Sequence, residues 1–409
     1  MDTIFHRPEL ATSLAQRLLR PGPLDVALRS GLFVRGMRRT GKTTFVVHDL
    51  IPSVESLGAV VVYVDLWKAP ARSPAAVVHD AVRDAVGELA NPASRALARL
   101  SALKGVQAEA FGASFGLEIE RLGEPDGPSL ADAFVRLVDR ARGDVVLIVD
   151  EVQHALGTES GRQLMFALKA ARDAVNIRTE TPGHLLFVGT GSHRSLVGEL
   201  TEQRSQAFAG AYSMEFPLLG PDYVEDLLER VREHALAGGR PAPLPSLGVA
   251  VAAFETVGHR PEDLLRALEI LGTSVDADGD PDLLLPPIAA TLRESAVDVE
   301  LAKVDRLGAL AVAVFARLVD GEAGEGGQRG LFSATALEAF SGRLGRTVTS
   351  DEVNVALRAL VAENLVMRTG RGRYGVTDPF VRTLAGRRTA GRRALGLDDA
   401  PADGAGPAA

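Results

Sequence analysis

The stretch GMRRTGKTT, Gly36 to Thr44, lies between an apolar GLFV and a FVVHDL that reads as helix. The chain has 45 basic residues, yet only five are lysine: Lys42, Lys68, Lys104, Lys169 and Lys303. A position that keeps lysine among so many arginines calls for a compact, mobile ammonium rather than a planar fork. The spacing Gly36-x-x-x-x-Gly41-Lys42-Thr43 is that of a phosphate-binding loop, and a strand before it and a helix after it supply the required setting. Glycines let the backbone curl so that N–H groups point at phosphate oxygens, and the following helix presents its positive end to the same anion. Gly36, Met37, Arg38, Arg39, Thr40, Gly41, Lys42, Thr43 and Thr44 are the candidate nucleotide contacts. Lys42 would reach the β- and γ-phosphates, and the Thr43 hydroxyl would ligate magnesium.

Such a loop needs an acid at the end of a neighbouring strand. VVLIVDE supplies Asp150 and Glu151 after an apolar run. Asp150 would hold magnesium through water, and Glu151 would orient and polarise an attacking water. The pair points to hydrolysis of ATP. An Asn-Lys-x-Asp guanine-reading motif is missing, which favours adenine.

Five continuous apolar runs, in GLFVR, GAVVVYVDLW, DVVLIVDE, HLLFVGTGS and AYSMEFPLL, are separated by helical patterns. Strands buried on both faces of a parallel sheet read this way. A short amphipathic helix is expected from Ile4 to about Gln16. The alternating segment AEAFGASFGLEIE, with Phe111, Phe115, Leu117 and Ile119 on one side, predicts an inserted strand or hairpin. After Gly220 the pattern turns helical, broken by AGGRPAPLPS and DADGDPD. From about Lys303 helices lead into LVAENLVMRTGRGRYGVTDPF, the layout of a winged helix. The expected division is a P-loop core over 1–219, a helical lid over 220–300, a winged helix over 301–390 and a disordered tail over 391–409.

With 409 residues, 46% hydrophobic and 24% charged, the composition is that of a soluble globular protein of two or three domains. The absence of cysteine excludes disulfides and thiolate metal sites. A first segment without a signal pattern and the lack of a membrane-length apolar run set the expectation of a cytoplasmic protein without membrane contact. A net charge of -8 argues against a wholly nucleic-acid-binding surface. Eight histidines show no metal-ligand spacing, and no Gly-x-Ser-x-Gly elbow occurs.

These motifs resemble those of the AAA+/STAND ATPases, in particular the archaeal-type group related to origin-recognition ATPases. GMRRTGKTTF resembles the group's G-x-R-x-x-G-K-T pattern, LIVDEVQ its second acidic motif, and FHRPEL its opening F-x-x-R-x-x-E-L, with His6 where glycine is usual before Arg7. The resemblance covers most of residues 1–385. It implies an ATP-binding role for Arg7, and a γ-phosphate sensor at Thr190 or Ser192 in VGTGS. In GHRPEDLLRAL it implies a nucleotide-sensing Arg260, although Pro261 at a first helical position also explains that motif structurally. An arginine finger would be Arg194 or Arg204, but the Gly-Arg usual before the fifth strand reads Gly210-Ala211, which disfavours ring-type activation.

Between Val366 and Arg393 stand eight arginines (368, 371, 373, 382, 387, 388, 392, 393) against one acid, Asp378. Such a face could grip DNA phosphates without sequence preference, or dock a protein. SDEVNVALRALVAENL, the expected recognition helix, carries Asp351, Glu352 and Glu363 and offers only Arg358. The expected activity is an Mg-dependent ATPase that works as a nucleotide-controlled switch or assembly factor. The rival readings are a DNA-handling loader or transposition helper, and an ATP-bound regulatory scaffold that hydrolyses weakly. Self-assembly or a protein partner fits any of the three.

Overall fold

The computed structural model describes residues 4–69, 71–192, 194–237, 244–274, 279–321, 327–370 and 372–394. Arg371, the tail from 395 onward, and parts of the AGGRPAPLPS, DADGDPD and GEGGQRG segments lie outside them. The chain divides into two compact units, Met1–Leu219 and Gly220–Ala409.

The first unit is built on five parallel strands: β1 (Leu32–Arg35), β2 (Val60–Asp65), β3 (Val145–Asp150), β4 (Leu185–Gly191) and β5 (Tyr212–Glu215). Their order is β2-β3-β4-β1-β5, with every pairing parallel. All five apolar runs of the sequence therefore become strands of one sheet. The two layers that cover it can be read along β3. Val145, Leu147 and Val149 enter the core under the helices Pro74–Ala90, Leu130–Ala141 and Glu159–Asn176. Val146 and Ile148 enter the core under Pro8–Leu19 and the helix that follows the Gly36–Lys42 loop. Successive side chains of a strand point to opposite faces, so a central strand covered on both sides has no polar position to alternate with. β3 and β4 are buried throughout, whereas the edge strand β2 alternates buried with half-buried positions.

AEAFGASFGLEIE is not a strand or hairpin: Ala108–Phe111 is a short 3-10 turn and Ala113–Glu120 an α-helix. Phe111, Phe115 and Ile119 are buried, and Leu117 is 63% exposed. Positions i, i+4 and i+8 share a face in a strand and nearly so in a helix, so those three residues do not distinguish the two periods. Leu117 is the residue that does. The opening helix is Pro8–Leu19, shifted from the expected Ile4 start because Pro8 fits the first turn, where no N–H is needed.

The second unit carries the helices Pro221–Ala237, Leu247–Thr256 and Pro261–Ser274, then the 26-residue Pro281–Arg306, which runs through the division expected at 300. Ala309–Asp320, Ala334–Leu344 and Ser350–Ala362 follow, and an antiparallel hairpin of β6 (Val366–Gly370) and β7 (Arg373–Val376) precedes Pro379–Ala394. These later elements share one apolar core, centred on Val314, Phe340, Leu357 and Val366. Ser350–Ala362 starts with a capping box in which Thr349 and Glu352 satisfy each other's backbone N–H groups. Glu352 thus has a structural task at the end where the expected recognition helix carried its acids.

Candidate functional site

β1 lies between β4 and β5, and the loop Gly36–Gly41 leaves its C-terminal end to enter a helix at Lys42. Two residues of the loop need the left-handed region: Gly41, with φ 87°, and Arg39, with φ 63°. At Gly41 the absence of a Cβ makes this turn inexpensive. At Gly36 the need is for closeness, since a Cβ there would come within 3.3 Å of the Phe216 Cβ. The loop curls around Lys42, which is 5% exposed. Its ammonium donates to the carbonyls of Gly36 (2.9 Å) and Met37 (2.5 Å). Thr40 closes the turn, its hydroxyl donating to Met37 O at 2.9 Å. The helix runs Lys42–Phe45, a π-helical stretch Val46–Leu50 and Ile51–Ser56. Thr44 is exposed on its first turn.

The acids stand at the end of β3, beside this loop. Asp150 is buried, and four groups converge on its carboxylate. Thr43 Oγ1 donates to Oδ2 at 2.7 Å and Tyr63 Oη to the same oxygen at 3.2 Å. Thr190 Oγ1 and the Glu151 N–H donate to Oδ1. Burial and the Asp150 charge push the Tyr63 phenol well above its ordinary pKa, so it serves as a fixed donor. Glu151 has φ 57°, a conformation uncommon for a residue with a Cβ. Its Oε2 accepts from Ser192 Oγ at 3.0 Å and from the Gln153 amide. Gln153 and Arg38 Nε also donate to Ser192 Oγ, each at 3.2 Å. Arg38 in turn lies over the Trp67 ring, 5.4 Å from its centroid, and Trp67 meets the His154 ring edge-on. Burial lowers the His154 pKa, with the Arg38 charge adding to it against Glu151, and this favours the neutral ring.

The residues chosen from sequence therefore gather at one place: the loop, Thr43, Asp150, Glu151, Thr190 and Ser192. Thr190 and Ser192 divide the work, the first bonded to Asp150 and the second to Glu151. Arg7 stands behind the loop, its guanidinium donating to Pro217 O at 2.6 Å and lying over the Phe216 ring that abuts Gly36. His6, where glycine was expected, hydrogen-bonds Asp49 at 2.7 Å, and Asp49 also receives the Arg7 backbone N–H. Arg260 belongs to the second unit, where it pairs with Asp378 at 2.9 Å. Arg204 is exposed, and the Arg194 side chain lies outside the description.

Two members of the site escaped the sequence reading. Tyr63 is the lone hydroxyl in an otherwise aliphatic stretch of β2, and Gln153 comes three residues after Asp150. Gln153 is buried against Gly191, where a Cβ would meet its Oε1 at 2.7 Å. No group of histidine and acidic residues forms a ready-made metal cage among the described residues. The set of Thr43 hydroxyl and Asp150 carboxylate is oxygen-only and sparse. Magnesium, which keeps several waters, suits such a set.

No protein-family model matches the sequence, and no curated protein matches it. Among solved structures, the Aeropyrum pernix ORC2 protein in its ADP form is similar, with a TM-score of 0.54 and 15% identity over 98% of this chain and 98% of that one. The same protein in its ADPNP-ADP complexes gives 0.51 and 14% over 95% and 98%. With its parallel sheet and the loop between β1 and the next helix, the chain has a P-loop NTPase fold like that of the Aeropyrum pernix ORC2 protein.

Proposed function

We propose that this protein binds ATP with magnesium at the Gly36–Thr44 loop, hydrolyses it, and uses the cycle as a nucleotide-controlled switch or assembly step. The observation that carries the reading is the 2.7 Å bond between Thr43 Oγ1 and Asp150 Oδ2. It joins the hydroxyl of the loop to the acid of the neighbouring strand, the two groups expected to share one hydrated magnesium. The ORC2 protein of similar fold has been solved with ADP and with ADPNP, which agrees with a nucleotide at this loop.

In this reading the loop N–H groups and Lys42 hold the phosphates, Lys42 exchanging its bonds to Gly36 O and Met37 O for phosphate oxygens. Magnesium, held by Thr43 and through water by Asp150, would neutralise charge on the β- and γ-phosphates. Tyr63 and Thr190 keep the Asp150 carboxylate oriented. Glu151 orients a water and accepts its proton as the water oxygen bonds to the γ-phosphorus and the bond to the β–γ bridging oxygen breaks, releasing ADP and phosphate. Ser192 and Gln153 fix its carboxylate, and Ser192 or Thr190 reports the state of the γ-phosphate. Lys42→Ala tests the whole reading. Losing two charge-assisted hydrogen bonds should weaken ATP binding about 100-fold. Unchanged affinity in titration calorimetry refutes the site.

A further inference from the structure

β2 is an edge strand, paired only with β3 among the described residues. Its Val60 N–H goes to Asp144 O at 2.9 Å and the Leu66 N–H to Asp150 O at 3.3 Å. In a parallel ladder alternate residues turn both N–H and C=O to the same neighbour. The even-numbered residues therefore serve β3, and Val61, Tyr63 and Asp65 direct their backbone groups out of the sheet. Among the described residues nothing hydrogen-bonds those outward groups. Proteins usually cover or disrupt such an edge, because it is a template for another strand.

Here the edge opens into a cleft of about 580 Å³ between the Ile51–Ser56 and Pro74–Ala90 helices. At the Val60 end, Val60 and Val61 share a second, smaller pocket with Ala96 and Leu100 of the Arg95–Lys104 helix. Towards its Asp65 end Trp67 and Lys68 are exposed. From Val61 to Asp65 an extended chain runs about 13 Å, so roughly five residues fit alongside. The floor on the Pro74–Ala90 side is Val77, Ala81 and Ala85, small enough to leave room for side chains of an added strand.

The rim is acidic. Glu55, Asp65, Asp80, Asp84 and Glu88 line the cleft against Lys68 and Arg72. Arg72 is already paired with Asp80 at 2.5 Å, and Arg99 with Glu55 at 2.5 Å. Asp84 and Glu88 are exposed and have no ion pair among the described residues. Asp80, Asp84 and Glu88 recur every four residues, about 6 Å apart along the helix. Alternate side chains of a strand recur at about 6.6 Å. Basic residues at two alternate positions of a strand would therefore meet Asp84 and Glu88, while Asp80 is already held by Arg72 and Arg83.

We infer that the Val61–Asp65 edge is a docking site for an extended, lysine- or arginine-bearing segment of a partner protein, which joins the sheet beside β2 as a sixth strand. Backbone hydrogen bonds to Val61, Tyr63 and Asp65 supply the affinity, and the carboxylates of the Pro74–Ala90 helix select for basic side chains. The inference is independent of ATP hydrolysis.

The test uses the full chain and a fluorescein-labelled peptide of alternating lysine and valine, followed by fluorescence anisotropy. A glutamate-valine peptide and a lysine-valine peptide N-methylated at alternate residues are the controls. Binding is expected for the first peptide only, with slowed hydrogen exchange at the Val61, Tyr63 and Asp65 amides. Asp84→Lys combined with Glu88→Lys should weaken it at least about tenfold through charge reversal at an exposed face, with the circular dichroism and ATP affinity of the parent. Three results overturn the inference: no binding, equal binding of the acidic or N-methylated peptide, or binding without protection of the three amides. Protection of the same amides in concentrated protein without peptide assigns the edge to a second copy of this chain and overturns it as well.

Discussion

At the scale of single residues, the site is a set of carboxylates held by short-range donors. Asp150 accepts from Thr43, Thr190, Tyr63 and the Glu151 N–H, so each of its oxygens is directed. Asp150→Asn replaces one of those oxygens by an amide that cannot ligate a hydrated cation. The magnesium concentration needed for hydrolysis should rise by about tenfold or more, and a magnesium titration matching the parent's would reject the assignment. Glu151→Gln should leave ATP affinity near the parent's and lower turnover by about 10²- to 10³-fold, because an amide cannot take the proton from water. Turnover at the parent rate in a coupled phosphate-release assay would remove Glu151 from the mechanism. Lysine, glycine and the two acids were legible from spacing alone. Tyr63 and Gln153 were not, since Tyr63 sits in an apolar run that says only strand, and the spacing of the acidic motif singles out Asp150 and Glu151 but not the amide that follows them. What brings them into the candidate site is a bond to Asp150 in one case and to Glu151 in the other.

At the scale of elements, the second unit has a junction that the sequence did not suggest. Asp378, at the start of the Pro379–Ala394 helix, pairs with Arg293 of the long Pro281–Arg306 helix at 2.7 Å and with Arg260 at 2.9 Å. Arg293 also lies over the Phe380 ring. Burial opposes ionisation of Asp378, but the two arginines and the Phe380 N–H outweigh it and hold the carboxyl below its usual pKa. A carboxyl whose pKa is depressed on folding contributes its stability above the unfolded pKa and loses it as pH falls through the folded one. Asp378→Ala leaves two arginines without their shared partner and should destabilise the chain by about 3–5 kcal/mol at neutral pH. The parent's loss of stability at acid pH should shrink correspondingly in the variant. Urea unfolding at neutral and acid pH measures both, and an unchanged midpoint at neutral pH would show the junction to be energetically idle. The same pairing gives Arg260 a structural occupation, beside the structural account that Pro261 at the first helical position already offered for the motif. The misread segment at Ala108–Glu120 belongs to this scale too. Phe111, Phe115 and Ile119 fit both periods, and only the surrounding helices decide which is used.

At the scale of the whole molecule, the charge of the last helices separates the rival readings. Of the eight arginines after Val366, Arg382 donates to Gly321 O at 2.7 Å and Arg388 pairs with Asp298, so part of the basic face is spent on packing. If the arginines between positions 368 and 373 grip DNA, replacing Arg368, Arg371 and Arg373 by alanine should lower the salt slope of duplex binding by about three units while hydrolysis without DNA persists. Binding isotherms at several salt concentrations measure it. A parent without affinity for duplex at low salt dismisses the DNA-handling reading and leaves the ATPase reading untouched. Among the described residues no helix is long and apolar enough to cross a membrane. By itself the sequence determined the sheet and the phosphate loop, because continuous β-branched runs, two glycines and a lysine are local signals that survive without knowledge of neighbours. The convergence of four donors on Asp150, the open edge of β2 and the Arg260–Asp378–Arg293 junction were decided only by tertiary structure. Apart from the adjacent Glu151 N–H, each joins groups from 40 to 118 residues apart along the chain or depends on which strand has no neighbour, and no local pattern encodes either.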